Sequence, residues 1–259
     1  MTLRLIAAGL AWLALPLAAC GQDLPVTWRA DAVATYPHDR DAFTQGLFIH
    51  EGALYESTGR VGQSSLRRVA LDSGQVERLT SIGAPYFGEG ATRLGDRIYM
   101  VTWVMEQGFI FDAESFEEIG RFTYEGEGWG LTHDGDHLIL SDGSATLRYL
   151  DPESLAVTAT LDVTLNGRPV RRLNELEWVD GEIWANVWGT HSIVRINPQS
   201  GAVTGLVDLS ALIPAGLERS REAVANGIAW NAQTGQIYVT GKLWPALYEI
   251  RLVDPANGG

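Results

Sequence analysis

A glutamate, a lysine and several amides and tryptophans stand at regularly spaced positions of this 259-residue chain, and their types can carry out chemistry. Glu89 can take up a proton and return it during a reaction, as general acids and bases do. Lys242, Asn174 and Gln45 can donate hydrogen bonds to an oxygen atom that becomes negative in a transition state. Tryptophan rings add flat apolar walls that exclude water. These residue types therefore suit a small-ligand site in which a proton is moved.

The same residues keep a constant distance from a repeated segment. Each segment has Gly or Asp, then any residue, an aliphatic residue and an aromatic or aliphatic one, and the five copies end at Tyr55, Tyr99, Ile139, Trp184 and Tyr238. A first series lies about ten positions before these ends and comprises Gln45, Glu89, Trp129, Asn174 and Asn226. A second series lies four positions after them and comprises Gly59, Trp103, Gly143, Trp188 and Lys242.

The spacing of the repeat predicts the fold. Successive copies lie 40 to 54 residues apart, which is typical of propeller blades with four short strands each. A turn rich in Asp, Asn, Pro and Gly follows each of the first four copies, as expected for the hairpin that joins a blade's two outer strands. The predicted fold class is therefore all-β, a five-bladed β-propeller of four-stranded antiparallel blades. The fifth blade lacks room for a fourth strand, so we expect residues 30–36 to supply it and close the ring.

The innermost strand of each propeller blade lines the central axis, so the two series are expected to form two rings at one mouth of the channel. Positions kept for packing should carry similar residues in every blade. These positions instead differ from blade to blade and are mostly polar or aromatic, which favours a ligand site. The alternative interpretation is a polar, water-filled channel with aromatic side chains at its rim.

Charge and motif content exclude several function classes. The formal net charge of -13 argues against a nucleic-acid partner. The sequence has no Gly-x-Ser-x-Gly elbow, no His-Glu-x-x-His motif and no phosphate-binding loop. A small basic cluster, Arg168, Arg171 and Arg172, lies just before Asn174. It is either a solvated loop or a contact for an acidic substrate tail.

The N-terminus has the pattern of an export signal. Arg4 precedes an apolar run over 5–15, and Leu-Ala-Ala-Cys ends at Cys20, the only cysteine. This sequence resembles the bacterial lipobox, in which the cysteine is lipidated; a plain signal peptide with an incidental cysteine is the alternative. We expect an export signal over 1–19, a tether over 20–27 and one catalytic domain over 28–259. The protein would be a monomer held in the periplasm or cell envelope through a lipid on Cys20.

Six motifs, in the same order and from about Trp28 to Leu252, resemble those of the plant and bacterial glutaminyl cyclases. They are Phe43-Thr44-Gln45-Gly46-Leu47, Phe87-Gly88-Glu89-Gly90, Trp129-Gly130-Leu131, Leu173-Asn174-Glu175-Leu176-Glu177, Asn226-Gly227-Ile228-Ala229 and Thr240-Gly241-Lys242 with Trp244-Pro245. Any one motif is weak, whereas six in register are specific. Gly88 departs from the family pattern, which has a larger residue beside the glutamate. The sequence therefore does not define the shape of the pocket at this point.

The resemblance implies a five-bladed propeller, unlike the zinc-dependent animal enzymes. It implies an enzyme that needs no cofactor or metal and cyclises the N-terminal glutamine of a peptide or protein to pyroglutamate, releasing ammonia. Glu89 would be the catalytic acid and base, with Gln45, Asn174 and Lys242 as further catalytic residues. The implied substrate-binding residues are Phe43, Phe87, Trp103, Trp129, Trp188 and Asn226.

Two mechanistic questions stay open at the level of the sequence. Tryptophan walls would raise the pKa of Glu89 by desolvation and Lys242 would lower it, and either effect could dominate. Lys242, Asn174 and Gln45 are each candidates to stabilise an oxyanion. The competing functions are a calcium-dependent lactone hydrolase, with Glu89, Asn174 and Asn226 as oxygen ligands, or a propeller that binds a ligand without catalysis.

Overall fold

Twenty-two β-strands and one short 3-10 helix make up the regular structure of residues 25–254, the part of the chain that this computed structural model describes. The predicted all-β class is confirmed. No helix within this range is long and apolar enough to cross a membrane. The prediction for Cys20 falls outside the described residues.

Three antiparallel sheets of four strands follow one another along the chain, each assembled in sequence order. The first contains β2 (Thr44–His50), β3 (Ala53–Thr58), β4 (Ser65–Val69) and β5 (Val76–Ser81). The second contains β6 (Gly88–Leu94), β7 (Arg97–Thr102), β8 (Gln107–Asp112) and β9 (Glu118–Thr123). The third contains β10 (Leu131–His133), β11 (Leu138–Leu140), β12 (Thr146–Leu150) and β13 (Val157–Asp162). The copies of the repeated segment lead into the second strand of each sheet, and the repeated turn joins its third and fourth strands.

An eight-stranded sheet joins two further four-strand units through the N-terminal strand, in the order β16-β17-β18-β19-β1-β22-β21-β20. One unit contains β16 (Leu173–Val179), β17 (Glu182–Val187), β18 (Ser192–Ile196) and β19 (Val203–Asp208). The other contains β20 (Ala225–Asn231), β21 (Gln236–Gly241), β22 (Ala246–Val253) and β1 (Val26–Pro37). Two connections flank the fourth unit: a hairpin of β14 (Thr164–Leu165) and β15 (Arg168–Pro169), and a segment with the 3-10 helix Ser210–Leu212.

The N-terminal strand β1 pairs on both of its edges. It runs antiparallel to β22, with Tyr36 opposite Leu247, so the expected fourth strand of the last unit is present and extends over 26–37. It also runs parallel to β19, with Val26 opposite Gly205, a pairing that the sequence did not predict. The start of the strand, Val26–Arg29, therefore pairs with β19 and the rest, Arg29–Pro37, pairs with β22, so this one strand links the fourth and fifth units.

The first strands of the five four-strand units form a closed series of contacts. β2 contacts β6, β6 contacts β10, β10 contacts β16, β16 contacts β20, and β20 contacts β2. The glycines that follow the first series of residues permit this close approach. A side chain at Gly90 would collide with the backbone of Leu131, and one at Gly130 would collide with the backbone of Asn174.

The core lies between neighbouring sheets. One cluster joins Phe48 and Leu66 of the first sheet to Ile98, Phe109 and Phe111 of the second, all buried. The fourth strands of the sheets, such as β5, are mostly exposed, because one face of an outer strand meets water. Burial thus falls from the inner strands outward, and the starts of the inner strands converge on one end of the molecule.

Candidate active site

A pocket opens at the end of the molecule where the five inner strands begin. Its cavity measures about 340 Å³. It is lined by Phe43, Gln45, Phe87, Glu89, Trp103, Trp129, Asn174, Trp188, Arg221, Glu222 and Lys242. The structure therefore brings together nine of the ten catalytic and substrate-binding residues expected from the sequence. The positions follow from the fold: Glu89 is the second residue of β6, and Lys242 directly follows β21.

Glu89 is the acidic group at the floor of this pocket. Its side chain is buried, and its Oε1 accepts a hydrogen bond of 3.1 Å from Nε2 of Gln45. Burial raises the pKa of Glu89 to about 8, although the cation of Lys242 acts to lower it and the carboxylate of Glu127 raises it further. Desolvation therefore outweighs the lysine, which answers the first open question. A carboxyl with this pKa is present in both protonation states near neutral pH.

Lys242 is the only lysine of the chain and is buried in the pocket wall. Burial lowers its pKa, with the negative charge of Glu89 acting in the opposite direction. Its Nζ lies 4.9 Å from the centre of the Phe43 ring, in a cation–π contact. Hydrogen-bond donors on this ammonium group therefore remain available to a ligand.

The Gln45 side chain is committed to holding Glu89. Its Nε2 donates to Glu89, and its Oε1 accepts a hydrogen bond of 3.3 Å from Nδ2 of Asn226. Asn226 also donates to the carbonyl of Thr44 at 3.0 Å. Asn226 is fully buried behind Gln45 and does not line the pocket, in contrast to the expectation of a direct substrate contact. Asn226 is the second residue of β20, as Gln45 and Glu89 are of their strands, so its greater depth reflects its side-chain hydrogen bonds to Gln45 and Thr44 and not its place in the strand.

Asn174 has unused hydrogen-bonding capacity in the wall of the pocket. It lines the pocket, and its Oδ1 is buried without a hydrogen-bond partner among the residues of the described chain. A buried amide oxygen without a partner costs free energy, which a ligand N–H group would recover on binding.

Aromatic rings form the walls, mostly in edge-to-face contact. Phe87 lies between Phe43 and Trp103, with ring centres 6.0 and 5.9 Å away, and Trp129 lies 5.9 Å from Trp188. Trp103 and Trp188 are 43% and 40% exposed, so they form the rim of the pocket.

Glycines of the second series make room for these walls. A side chain at Gly59 would collide with the ring of Phe87, and one at Gly143 would collide with the indole of Trp129. The two glycine positions therefore belong to the construction of the pocket without contacting a ligand themselves.

Glu127 is a functional candidate that the sequence did not reveal. Its Oε2 accepts hydrogen bonds of 2.7 Å from Nε1 of both Trp103 and Trp129, so one carboxylate fixes two indole walls. It lies in the loop before β10, outside both spaced series. Its position two residues before Trp129 was the one feature of the sequence that could have indicated its role.

The rim also carries an ion pair that was not predicted. Arg60 lies 3.2 Å from the Glu222 carboxylate, and its guanidinium carbon is 4.8 Å from the centre of the Phe43 ring. This contact connects the loop after β3 to the loop before β20 across the pocket mouth.

Gly88, the departure from the family pattern, has a packing explanation. Its N–H donates to Ser64 Oγ at 2.9 Å, and a side chain there would meet the carbonyl oxygen of Thr58 and the end of Met100. Neighbouring groups therefore already fill the space beside Glu89 that a larger residue would occupy.

Two further buried acids of β16 brace the inner strands. The Glu175 carboxylate accepts from the backbone N–H groups of Leu47 and Ile228, and Glu177 accepts from the N–H of Trp230. Burial raises the pKa of both, to about 8 for Glu177. These acids link β16 to β2 and β20, which places them in the support of the pocket floor.

Comparison with known proteins gives the family. Residues 5–252 match the model of a family described as glutamine cyclotransferase. The chain is 45% identical over 226 residues to a glutaminyl-peptide cyclotransferase of Arabidopsis thaliana, covering 86% of this chain and 71% of that protein. The crystal structure of the Myxococcus xanthus glutaminyl cyclase matches with a TM-score of 0.83 and 38% identity, covering 89% of this chain and 99% of the other. The chain belongs to the glutamine cyclotransferase family.

Proposed function

We propose that this protein converts an N-terminal glutamine of a peptide or protein into pyroglutamate and releases ammonia. The observation that carries the proposal is the buried Glu89, whose pKa is raised to about 8, in a tryptophan-walled pocket beside Lys242 and Asn174. Membership of the family and the similarity to the plant and bacterial enzymes support the same activity.

The first task of the site is to fold the substrate. The α-amine and the γ-carbonyl carbon belong to one glutamine residue, so no covalent intermediate with the protein is needed. Aromatic walls that hold the glutamine side chain curled would bring the two atoms to attack distance, and such positioning can contribute several kcal/mol, up to about 7–11 kcal/mol in well-oriented systems. A cavity of about 340 Å³ is large enough for a single glutamine residue.

Glu89 then moves the proton. The Glu89 carboxylate first takes a proton from the substrate ammonium group, which frees the amine nitrogen to form its bond to the γ-carbon. The protonated carboxyl then gives this proton to the departing NH₂, the C–N bond breaks and NH₃ is released, and the carboxylate takes up the proton that the lactam nitrogen loses. A peptide α-amine has a pKa of about 7.7–8.0. Since the pKa of Glu89 is about 8, proton transfer in either direction is close to thermoneutral.

Lys242 and Asn174 would supply the remaining polar contacts to the substrate. Because the Gln45 amide is engaged by Glu89 and Asn226, we assign the oxyanion that develops on the γ-carbonyl to the Lys242 ammonium. One such donor typically contributes about 10²–10³ in rate. Asn174 Oδ1 would accept a hydrogen bond from the substrate amine or amide. Gln45, whose amide is oriented by Asn226, would fix the orientation of the Glu89 carboxyl group.

The competing function is calcium-dependent lactone hydrolysis. Glu89 and Asn174 are oxygen ligands that a calcium ion could use. Lys242, however, places a positive charge in the same pocket, close enough to lower the pKa of Glu89, and this charge would repel a divalent cation. Cyclase activity that persists in excess EDTA would separate the two functions.

We also propose that the five four-strand units are the blades of one five-bladed propeller. The closed series of contacts among the inner strands β2, β6, β10, β16 and β20 supports this arrangement. The pairing of β1 with β22 supports ring closure by an N-terminal strand.

For location we propose an exported, monomeric protein with a lipid on Cys20, on the strength of the N-terminal sequence alone. The propeller domain would begin at Val26, where β1 starts, which shortens the tether expected over 20–27 by two residues. A Cys20→Ala variant should leave the membrane fraction and keep its specific activity.

The direct test of the function is mass spectrometry of a Gln-initiated peptide after incubation with the purified protein. We expect the loss of one ammonia from this peptide and none from the same peptide beginning with Asn. Unchanged Gln-peptide after prolonged incubation with folded protein would exclude the proposed activity.

A further inference from the structure

The loops around the pocket carry opposite charges on its two sides. Exposed carboxylates lie around the loops of the second and third units, namely Glu106 and Glu125, with Glu127 below them. Arg148, the cation of that side, is bound by Asp142 at 3.5 Å and by the carbonyls of Glu125 and Glu127. The side formed by the fourth unit and its two flanking connections carries arginines instead.

Arg172 lies directly behind the pocket lining on this basic side, next to the rim residue Trp188. Its N–H donates to the carbonyl of Gly143 at 2.7 Å, and its own carbonyl accepts from the N–H of Trp188 at 2.9 Å. Its guanidinium carbon lies 5.7 Å from the centre of the Trp188 ring. The exposed guanidinium is therefore held beside the rim tryptophan.

Arginines without a carboxylate partner concentrate in the same region. Most described arginines have a carboxylate within 4.0 Å, as in the pairs formed by Arg67, Arg97 and Arg195. Among residues 25–254, the arginines that lack one are Arg40, Arg78, Arg168, Arg171, Arg172, Arg219 and Arg221. Five of these seven lie in the connections over 164–172 and 209–224, which flank the fourth unit.

Acidic residues near these arginines are few. The connection over 164–172 contains three arginines and no acid. In the connection over 209–224, Glu222 is paired with Arg60 and Glu218 accepts hydrogen bonds from the N–H of Gly216. In a chain of net charge -13, this local excess of free cations next to the pocket is a specific feature.

We propose that the peptide following the substrate glutamine leaves the pocket over Trp188, between Arg172 and Arg221, and that the enzyme therefore prefers acidic residues directly after the glutamine. This inference rests on the proposed cyclase function. The carboxylates on the opposite side of the pocket would repel acidic residues that follow the substrate glutamine. The charge pattern therefore determines both the direction in which the peptide leaves the pocket and the preference for acidic residues.

The test compares three peptides that differ only after the glutamine: Gln-Glu-Glu, Gln-Ala-Ala and Gln-Lys-Lys, each with the same neutral extension. Exposed charge pairs are worth roughly a twofold to fivefold change in affinity each. We expect kcat/KM to fall in the order Glu, Ala, Lys, and the differences to shrink at 1 M salt, where the Debye length is about 3 Å.

Variants that remove one positive charge each identify the arginines responsible for the preference for acidic residues. Arg172→Gln and Arg221→Gln should each reduce the ratio of kcat/KM between the Glu and Ala peptides by about twofold to fivefold. Arg251→Gln makes the same charge change on β22, at the end of the strand remote from the pocket, and should leave the ratio unchanged.

The outcomes separate this inference from the proposed function. Cyclisation of all three peptides with equal kcat/KM, or a preference that Arg251→Gln reduces as much as Arg172→Gln does, overturns the inference and leaves the cyclase function intact. Absence of cyclisation of every peptide overturns the proposed function itself. A Gln-Leu-Leu peptide favoured over Gln-Glu-Glu would place the exit over the exposed Val104 and Met105 of the opposite rim, which also overturns the inference.

Discussion

Gln45 donates a hydrogen bond of 3.1 Å to the Glu89 carboxyl, although the two residues lie 44 positions apart in the chain and in different sheets. Each is the second residue of an inner strand, and adjacent inner strands are in contact. The same offset in successive repeats therefore places a carboxyl and the amide that orients it side by side.

Glu89→Gln should reduce kcat by about 10²–10⁴, because the amide retains the shape of the carboxyl and cannot relay a proton. Steady-state kinetics on a Gln-peptide measures the loss, and circular dichroism verifies the fold. Glu77→Gln, the same chemical change on the exposed strand β5, is the matched control. A Glu89→Gln variant with more than about a tenth of the original kcat would remove Glu89 from the proton transfer.

Asn226→Ala should act through Gln45 and not through the substrate, since Asn226 is fully buried and its amide contacts Gln45. We expect a fall in kcat with little change in KM, and in the double variant with Gln45→Ala the two losses should not add. Losses that add fully, together with a raised KM for Asn226→Ala alone, would indicate a direct substrate contact.

Much of the inner architecture could be predicted from the sequence because it is local and repeated. Each second strand is an apolar run after a turn, so the repeat fixes where Glu89 and Lys242 stand relative to it. The parallel pairing of β1 with β19 has no such signal, since it joins segments about 180 residues apart through backbone hydrogen bonds that any residue can make.

The parts of the site that escaped prediction lie outside the strands. Glu127 and Arg221 belong to loops, where no period relates a residue to the pocket. Asn226 kept the correct offset, yet its depth was not predictable because it depends on the packing of Gln45 and Thr44 above it.

Glu127→Gln should move the pH dependence of kcat/KM toward lower pH. The reactive state holds one proton shared between the substrate amine and Glu89, so activity should peak near pH 8, midway between two pKa values of about 8. The Glu127 carboxylate raises the pKa of Glu89, so its removal lowers that pKa and shifts the acid limb of the profile downward. Glu106→Gln, an exposed change in a neighbouring loop, serves as the control. An acid limb that stays in place in Glu127→Gln would contradict the electrostatic role.

Trp103→Ala and Trp188→Ala should act mainly on substrate capture, because both indoles form the exposed rim and neither contacts the carboxyl that moves the proton. Loss of aromatic contacts is worth about 0.5–1.5 kcal/mol, so KM should rise by roughly two- to tenfold with a smaller effect on kcat. Initial-rate measurements across substrate concentration give both constants. An unchanged KM in both variants would place the glutamine elsewhere in the cavity.

His38 and Glu56 form a buried pair that should make the stability of the fold depend on pH. His38 Nε2 lies 3.2 Å from the Glu56 carboxylate, and its Nδ1 donates to the carbonyl of Trp244 at 2.7 Å, in the turn that carries Lys242. Burial alone would lower the pKa of His38, but the Glu56 carboxylate, the Trp244 carbonyl and Asp39 together raise it. Burial would likewise raise the pKa of Glu56, and His38 with its other neighbours lowers it.

The direction of the pH effect follows from these two shifts. A histidine whose pKa is raised in the folded state stabilises the fold fully below its unfolded pKa of about 6.5, and this contribution is lost as the pH rises through the folded pKa. A glutamate whose pKa is lowered contributes above its unfolded pKa of about 4.3, and its contribution is lost as the pH falls through the folded pKa. The pair should therefore stabilise the fold most between about pH 4.5 and 6.5. His38→Gln should lower the free energy of unfolding at pH 5.5 by about 1.5–3 kcal/mol, since the buried Glu56 carboxylate loses its charged histidine partner and keeps Thr44 and Arg67, and by less at pH 9. Urea denaturation at both pH values measures the difference, with His137→Gln on an exposed turn as the control. Equal destabilisation of His38→Gln at the two pH values would mean that the histidine contributes by packing and not by its charge.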